Sequence, residues 1–85
     1  MSEGTPIFEM VAIEKHTSAK EASSLSIGKH YIPAMIEYER PAYLIRDDDI
    51  TKAIVTSKVV SIPAKTDKII VFETKHTTYR LRRVN

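Results

Sequence analysis

Hydrophobic positions along most of this chain recur at period two, and that alternation predicts β-strands. Over 6–15, Ile7, Val11 and Ile13 fall on one face and Phe8, Met10 and Ala12 on the other, so the first strand is apolar on both sides. Over 30–38, Ile32, Ala34, Ile36 and Tyr38 alternate inward. Pro33 has no N–H to donate to a ladder, so it marks an edge or a bulge in this second strand. Arg40-Pro41 supplies a turn, and a short third strand follows over 42–46. β-Branched residues crowd 54–62 (Ile54, Val55, Thr56, Val59, Val60, Ile62) and predict a fourth strand. The chain turns over 63–67. Segments 68–74 and 77–84 then form a hairpin around Lys75-His76. No Gly or Asn stands at its tip, which disfavours a two-residue type I′ turn and predicts a slightly longer loop.

Segment 17–28 breaks the alternation. Ser18 followed by Glu21 is a capping-box pattern, and Gly28 can terminate a helix. Ala19, Ala22 and Leu25 form a thin apolar stripe among four serines, so at most one short helix is expected, near 18–27. Six strands spaced about ten residues apart predict an all-β, mainly antiparallel fold. Its form is a small five- to six-stranded barrel or sandwich, SH3-like or OB-like in size. Within it, Leu25-Ser26-Ile27-Gly28-Lys29-His30-Tyr31 resembles the hydrophobic-Gly-Lys-x-Tyr opening of SH3-like barrels over those seven residues.

Length and composition narrow the classes. The 85 residues suit a single small β domain over 1–85. A content of 42% hydrophobic and 28% charged residues, with 2 Gly and 4 Pro, excludes a collagen-like, low-complexity or disordered chain. The chain has no cysteine, which excludes disulfides, thiolate zinc sites and a Cys nucleophile and points to a reducing compartment. Residues 1–6 lack the basic and apolar regions of a signal peptide. The longest apolar runs, Met10-Val11-Ala12-Ile13 and Ile69-Ile70-Val71-Phe72, fall far below the ~20 residues of a membrane span. The expectation is a cytoplasmic chain with no membrane partner.

The net charge of +2 conceals an asymmetry. Residues 1–49 hold five bases and nine acids, a net of −4, whereas residues 50–85 hold eight bases and two acids, a net of +6. The basic excess peaks in the last hairpin, where Lys75, His76, Arg80, Arg82 and Arg83 surround Tyr79, with Lys58 upstream. On a strand, Arg80 and Arg82 share a face with Thr78 and Val84, and Tyr79, Leu81 and Arg83 share the other. Guanidiniums beside an aromatic suit phosphate contacts and base stacking. Against that, the arginines can pair with the acidic first half or keep an edge strand solvated. A net of +2 is also modest for a nucleic-acid binder.

The remaining constellations point away from catalysis. Asp47-Asp48-Asp49, with Glu37 and Glu39 nearby, lacks the spacing of a calcium loop and reads as a solvated turn in which Asp48 or Asp49 caps. The strand ending in Glu73-Thr74-Lys75 resembles the Glu-x-Lys of metal-dependent nucleases. Its upstream Asp67 lies on the same strand, however, so Asp47 or Asp49 would have to substitute, and the flanking helices of those nucleases are missing. His16, His30 and His76 show no metal-ligand spacing, and there is no Gly-x-Ser-x-Gly elbow or glycine-rich phosphate loop. No catalytic residue, metal or cofactor is expected.

Apolar surplus is the last feature. The first, fourth and fifth strands carry hydrophobic residues on both faces, which places Phe8, Met10, Val55, Val59, Ile69 and Val71 at an outer interface. The expectation is therefore a non-enzymatic small binding module, a protein-interaction or oligomerising domain with a homo-oligomeric or protein partner. The alternative is a nucleic-acid-binding regulator using the basic C-terminal hairpin, and a more distant one is a metal-dependent nuclease-like protein.

Overall fold

The computed structural model describes residues 5–16 and 25–85. Six strands follow one another: β1 (Phe8–Lys15), β2 (His30–Met35), β3 (Pro41–Arg46), β4 (Ala53–Lys65), β5 (Ile69–Thr74) and β6 (Thr77–Arg83). Each runs antiparallel to its neighbours, and β6 returns to pair with β1. The sheet thus closes into a barrel whose strand order is the chain order. The short helix expected near 18–27 falls mostly outside the described residues, and residues 25–27 are not helical. Among the described residues, no helix is long and apolar enough to cross a membrane.

Closure depends on stagger. The 13-residue β4 gives its first half, 53–58, to β3 and its second half, 59–65, to β5. One strand therefore belongs to both halves of the wall, which is how a tilted sheet meets itself. The β1–β2 ladder is short by comparison, with only Phe8 opposite Tyr31 and Glu9 opposite His30. Two backbone bonds extend it: Met10 N donates to Lys29 O at 2.9 Å, and Gly28 N donates to Met10 O at 2.8 Å. Gly28 holds φ at +88°, a left-handed conformation that a side chain resists, and so turns the chain into β2.

Bulges decide which residues face inward. Between Met10 and Ala12 the β1–β6 register slips, leaving Val11 as the extra residue. Phe8 and Met10 point into the core before the slip. Ile13, opposite the buried Tyr79, packs against it afterwards. An extra residue shifts the alternation by one, so a strand that reads as apolar on both faces buries residues of both parities on one face. The same occurs in β4, where Ile54, Val59 and Ile62 reach the core at spacings that strict alternation forbids. A further slip beside Pro33, between Pro33 and Met35, matches the bulge expected there.

The core is one cluster drawn from every strand, with Met10, Leu44, Val59, Phe72, Tyr79 and Leu81 fully enclosed. The rings of Phe72 and Tyr79 stack across β5 and β6, with centroids 5.0 Å apart and planes inclined by 26°. The turn joining these strands corrects the expected longer loop: only Lys75 and His76 separate them, and neither has positive φ. Thr74 and Thr77, both buried, flank the turn, and His16 N donates to His76 O at 2.7 Å, so β1 holds the tip from the side. These packed flanks take the role that a left-handed glycine plays in a free hairpin.

Candidate binding surface

The outer face of β2–β3–β4 arises from the register of three strands. Met35 lies opposite Tyr43, and Tyr43 opposite Val55. These side chains are 38%, 43% and 52% exposed, so they form a solvent-facing apolar row across the sheet. The adjacent row is Ile32, Ile45 and Ala53, again in register. Both rows face outward because Ala42, Leu44 and Ile54, which alternate with them, point into the core. Within β2, β3 and residues 53–58 of β4, the half that pairs with β3, the charged residues and the histidine stand at the ends: His30, Arg46 and Lys58. In a chain with 28% charged residues, an uncharged field this wide needs a physical reason.

The rims are polar and internally neutralised. At one end Arg46 grips Asp48 through two hydrogen bonds, Nε to Oδ1 at 2.9 Å and Nη2 to Oδ2 at 2.7 Å. The side-chain hydrogen bond to Arg46 holds the Asp48 carboxyl below its ordinary value of 3.8, and the same pairing raises the guanidinium. Asp49 is also held low, chiefly by the hydroxyl of Thr51 and then by its backbone N–H. Asp48 and Asp49 are thus occupied in building the β3–β4 turn. At the other end Arg40 faces Glu37 at 3.6 Å. Glu39 occupies the left-handed region there, with φ at +67°, and donates its N–H to Val59 O at 2.8 Å.

Four of the six residues placed at an outer interface by alternation are elsewhere. Phe8, Met10 and Val59 lie in the core, because the bulges at Val11 and between the pairs Tyr43–Val55 and Pro41–Lys58 reverse the parity assumed for them. Val71 stands outside the core cluster but is only 8% exposed, enclosed on the outer side next to its partners Arg80 and Ala64. Val55 and Ile69 are exposed. Met35, Tyr43, Ile32, Ile45 and Ala53 carry no motif. For the first four, the one signal in the sequence is the uncharged run through adjacent segments 31–36 and 41–45.

The basic hairpin is dispersed by the barrel. Arg80 and Arg82 project outward from β6, while Tyr79, next to Arg80, is buried against Phe72 and has no free face for a base. Arg82 approaches Glu9 of β1 at 3.4 Å, a cross-strand pair between the basic and acidic halves. Lys75 and His76 form the β5–β6 turn, and Lys58 lies beside Val59, which is opposite Thr74, so Lys58 and Lys75 share that end. Arg83 lies at the far end of β6, where its Nε donates to Asn85 Oδ1 at 3.3 Å. There a groove of 470 Å³ runs between Lys68, Ile69, Arg82 and Arg83, with Asp67 on its wall.

The nuclease-like pattern does not assemble. Glu73 Oε2 accepts the Thr78 hydroxyl at 3.0 Å, and Thr78 Oγ1 lies 2.6 Å from His16 Nε2, a chain of three side chains on the outer side of β1, β6 and β5. Asp67 is in the β4–β5 turn at the opposite end of β5 from Lys75, and Asp47 and Asp49 are in the β3–β4 turn. His16 and His76 meet at one end through a backbone bond, whereas His30 pairs with Glu9 near the other.

No family model matches the chain, and no curated protein or solved structure shows significant similarity to it.

Proposed function

We propose that this chain is a non-enzymatic protein-docking module and that the outer face of β2–β3–β4 is its working surface. The carrying observation is the exposed Met35–Tyr43–Val55 row, in register and inside an uncharged field with charge-paired rims. An apolar centre bounded by a polar rim is the arrangement of protein interfaces, and an aromatic at its middle is the usual anchor. A photo-crosslinking side chain at position 43, compared with one at position 80, tests this reading. A defined protein adduct at 43 that is missing at 80 supports it. Equal labelling at both positions, or none at either, rejects it.

A second reading is favoured by one observation. Arg80 and Arg82 both face solvent from the same side of β6, which suits a polyanion lying along β5–β6. Such binding would weaken steeply with salt. An absence of oligonucleotide binding at low salt, or binding unchanged by Arg80→Ala combined with Arg82→Ala, removes this reading.

A further inference from the structure

We infer that the end of the barrel beside the β4–β5 turn binds a short-chain aliphatic carboxylate, its tail against Phe8 and Ile70 and its head on Arg83. This site is at one end of the barrel, and its test is independent of the docking reading above.

Strand parity places the head group. Along β6, Tyr79 and Leu81 are buried while Arg80 and Arg82 are exposed, so Arg83 follows Tyr79 and Leu81 on the inward side. It lies opposite the buried Phe8, where the barrel ends, and is itself half-buried. A charge drawn inward is normally met by an opposite one. The ion pairs of the described residues are Arg40–Glu37, Arg46–Asp48 and Arg82–Glu9, and Arg83 belongs to none of them. A neutral clamp holds it instead. Asn85 Oδ1 accepts Arg83 Nε at 3.3 Å and the N–H of Ile7 at 3.0 Å, and Asn85 Nδ2 donates to Thr5 O at 3.0 Å. Among the described residues, the two terminal nitrogens of the guanidinium meet no acceptor, which leaves a planar fork that matches one carboxylate. Four basic side chains, Lys65, Lys68, Arg82 and Arg83, surround this end against Asp67 and Glu9, and Arg82 already holds Glu9. An arriving monoanion therefore meets a positive rim.

The tail follows from the space beside that fork. The groove of 470 Å³ along Lys68 and Arg82 meets a second hollow of 240 Å³, and Arg83 and Asp67 line both. Pro6, Phe8, Pro33 and Ile70 line the second hollow. Phe8 and Ile70 are only 3% and 4% exposed, so the floor of this hollow is the core itself. Barrel mouths of this kind are recurrent ligand sites, apolar with a few placed polar groups. At about 30 Å³ for each water-sized group, 240 Å³ takes some eight carbons. A barrel this narrow is filled by its own side chains, so the tail stops at the mouth and has a length limit.

Isothermal titration of the full chain with hexanoate, octanoate, decanoate and octanol tests this. Octanoate should half-saturate the chain at or below about 1 mM. Affinity should rise by about twofold to fourfold per methylene up to octanoate and level off at decanoate, where the hollow is full. Octanol on the parent, and octanoate on Arg83→Gln, should each bind at least about tenfold more weakly, whereas Arg80→Gln should match the parent. In amide NMR spectra of the parent, octanoate should shift Phe8, Ile70 and Arg83 and leave Tyr43 in place. No binding at about 10 mM octanoate, octanol binding as tightly as octanoate, or amide shifts confined to other residues overturns the site. Unchanged affinity in Arg83→Gln overturns the placement of the head. N-acetyl-leucine binding more tightly than octanoate assigns the site to a protein C-terminus and overturns the free acid.

Discussion

Tyr79 sits at the centre of the basic hairpin in the sequence and at the centre of the core in the fold, so its substitution separates two physical roles. With centroids 5.0 Å apart, Phe72 and Tyr79 form an offset stack inside the barrel. Such a pair contributes about 0.5–1.5 kcal/mol beyond the area it buries. Tyr79→Leu keeps most of the apolar volume and should cost about 1–2 kcal/mol, with Phe72→Leu similar. The double variant should then cost about 1 kcal/mol less than the sum of the two, because the stack is lost only once. Tyr79→Ala should cost about 3–5 kcal/mol. For 85 residues, a total stability of about 4–13 kcal/mol makes that loss a large share of the fold. Urea denaturation followed by circular dichroism at several concentrations measures each term. Strict additivity of the two leucine variants would refute the stack as an energetic unit. A Tyr79→Ala chain as stable as the parent would refute the interior placement and return the ring to the surface as a possible base-stacking group.

Three further outcomes follow from local geometry. Met10→Lys should unfold the chain, whereas Val11→Lys next to it should change stability by no more than about 0.5 kcal/mol, since one is sealed in the core and the other is the outward bulge residue; equal costs in thermal melts would contradict the bulge. Glu39→Gly should raise the unfolding free energy by about 0.5–1 kcal/mol by relieving a left-handed side-chain residue, read from the denaturation midpoint. The Asp48 and Asp49 carboxyls are held below their ordinary 3.8, so the unfolded chain binds protons first on acidification. Their contribution is complete above about pH 5 and fades as pH falls further. Arg46→Gln should therefore flatten the acid limb of the stability curve, and an unchanged limb would count against the Arg46–Asp48 pairing.

The sequence shows its strands more clearly than their faces. Alternation and β-branched density locate all six segments, because half-buried strands impose period two on side-chain chemistry. Faces are harder to read, since one inserted residue reverses every later assignment. Val11 does this to β1, and the extra residue between Val55 and Lys58 does it to β4. Phe8, Met10 and Val59 therefore read as surface residues in the sequence, with the strand right and the parity reversed. The apolar field around Tyr43 was hidden for a different reason. Its members come from three strands aligned by register, and register is a property of pairing that no single segment displays. The basic hairpin had the opposite fate: residues adjacent in sequence were separated by the barrel into an outer face, two ends and a core.

The return of β6 to β1 also sets an order of assembly. Beyond Met10, β1 has β6 as its ladder partner, so residues near the start of the chain wait for residues some seventy positions later. The hairpins β2–β3, β3–β4, β4–β5 and β5–β6 can form from near neighbours as the chain emerges, but they leave a curved sheet with its apolar hollow open until β1 arrives. Loop closure of that span opposes the last step, and long-range pairing of this kind slows folding. During synthesis, the part of β1 beyond Met10, with Ile13, therefore waits longest for its ladder partner, and that interval, more than the finished barrel, is where long-range closure leaves apolar surface open to aggregation.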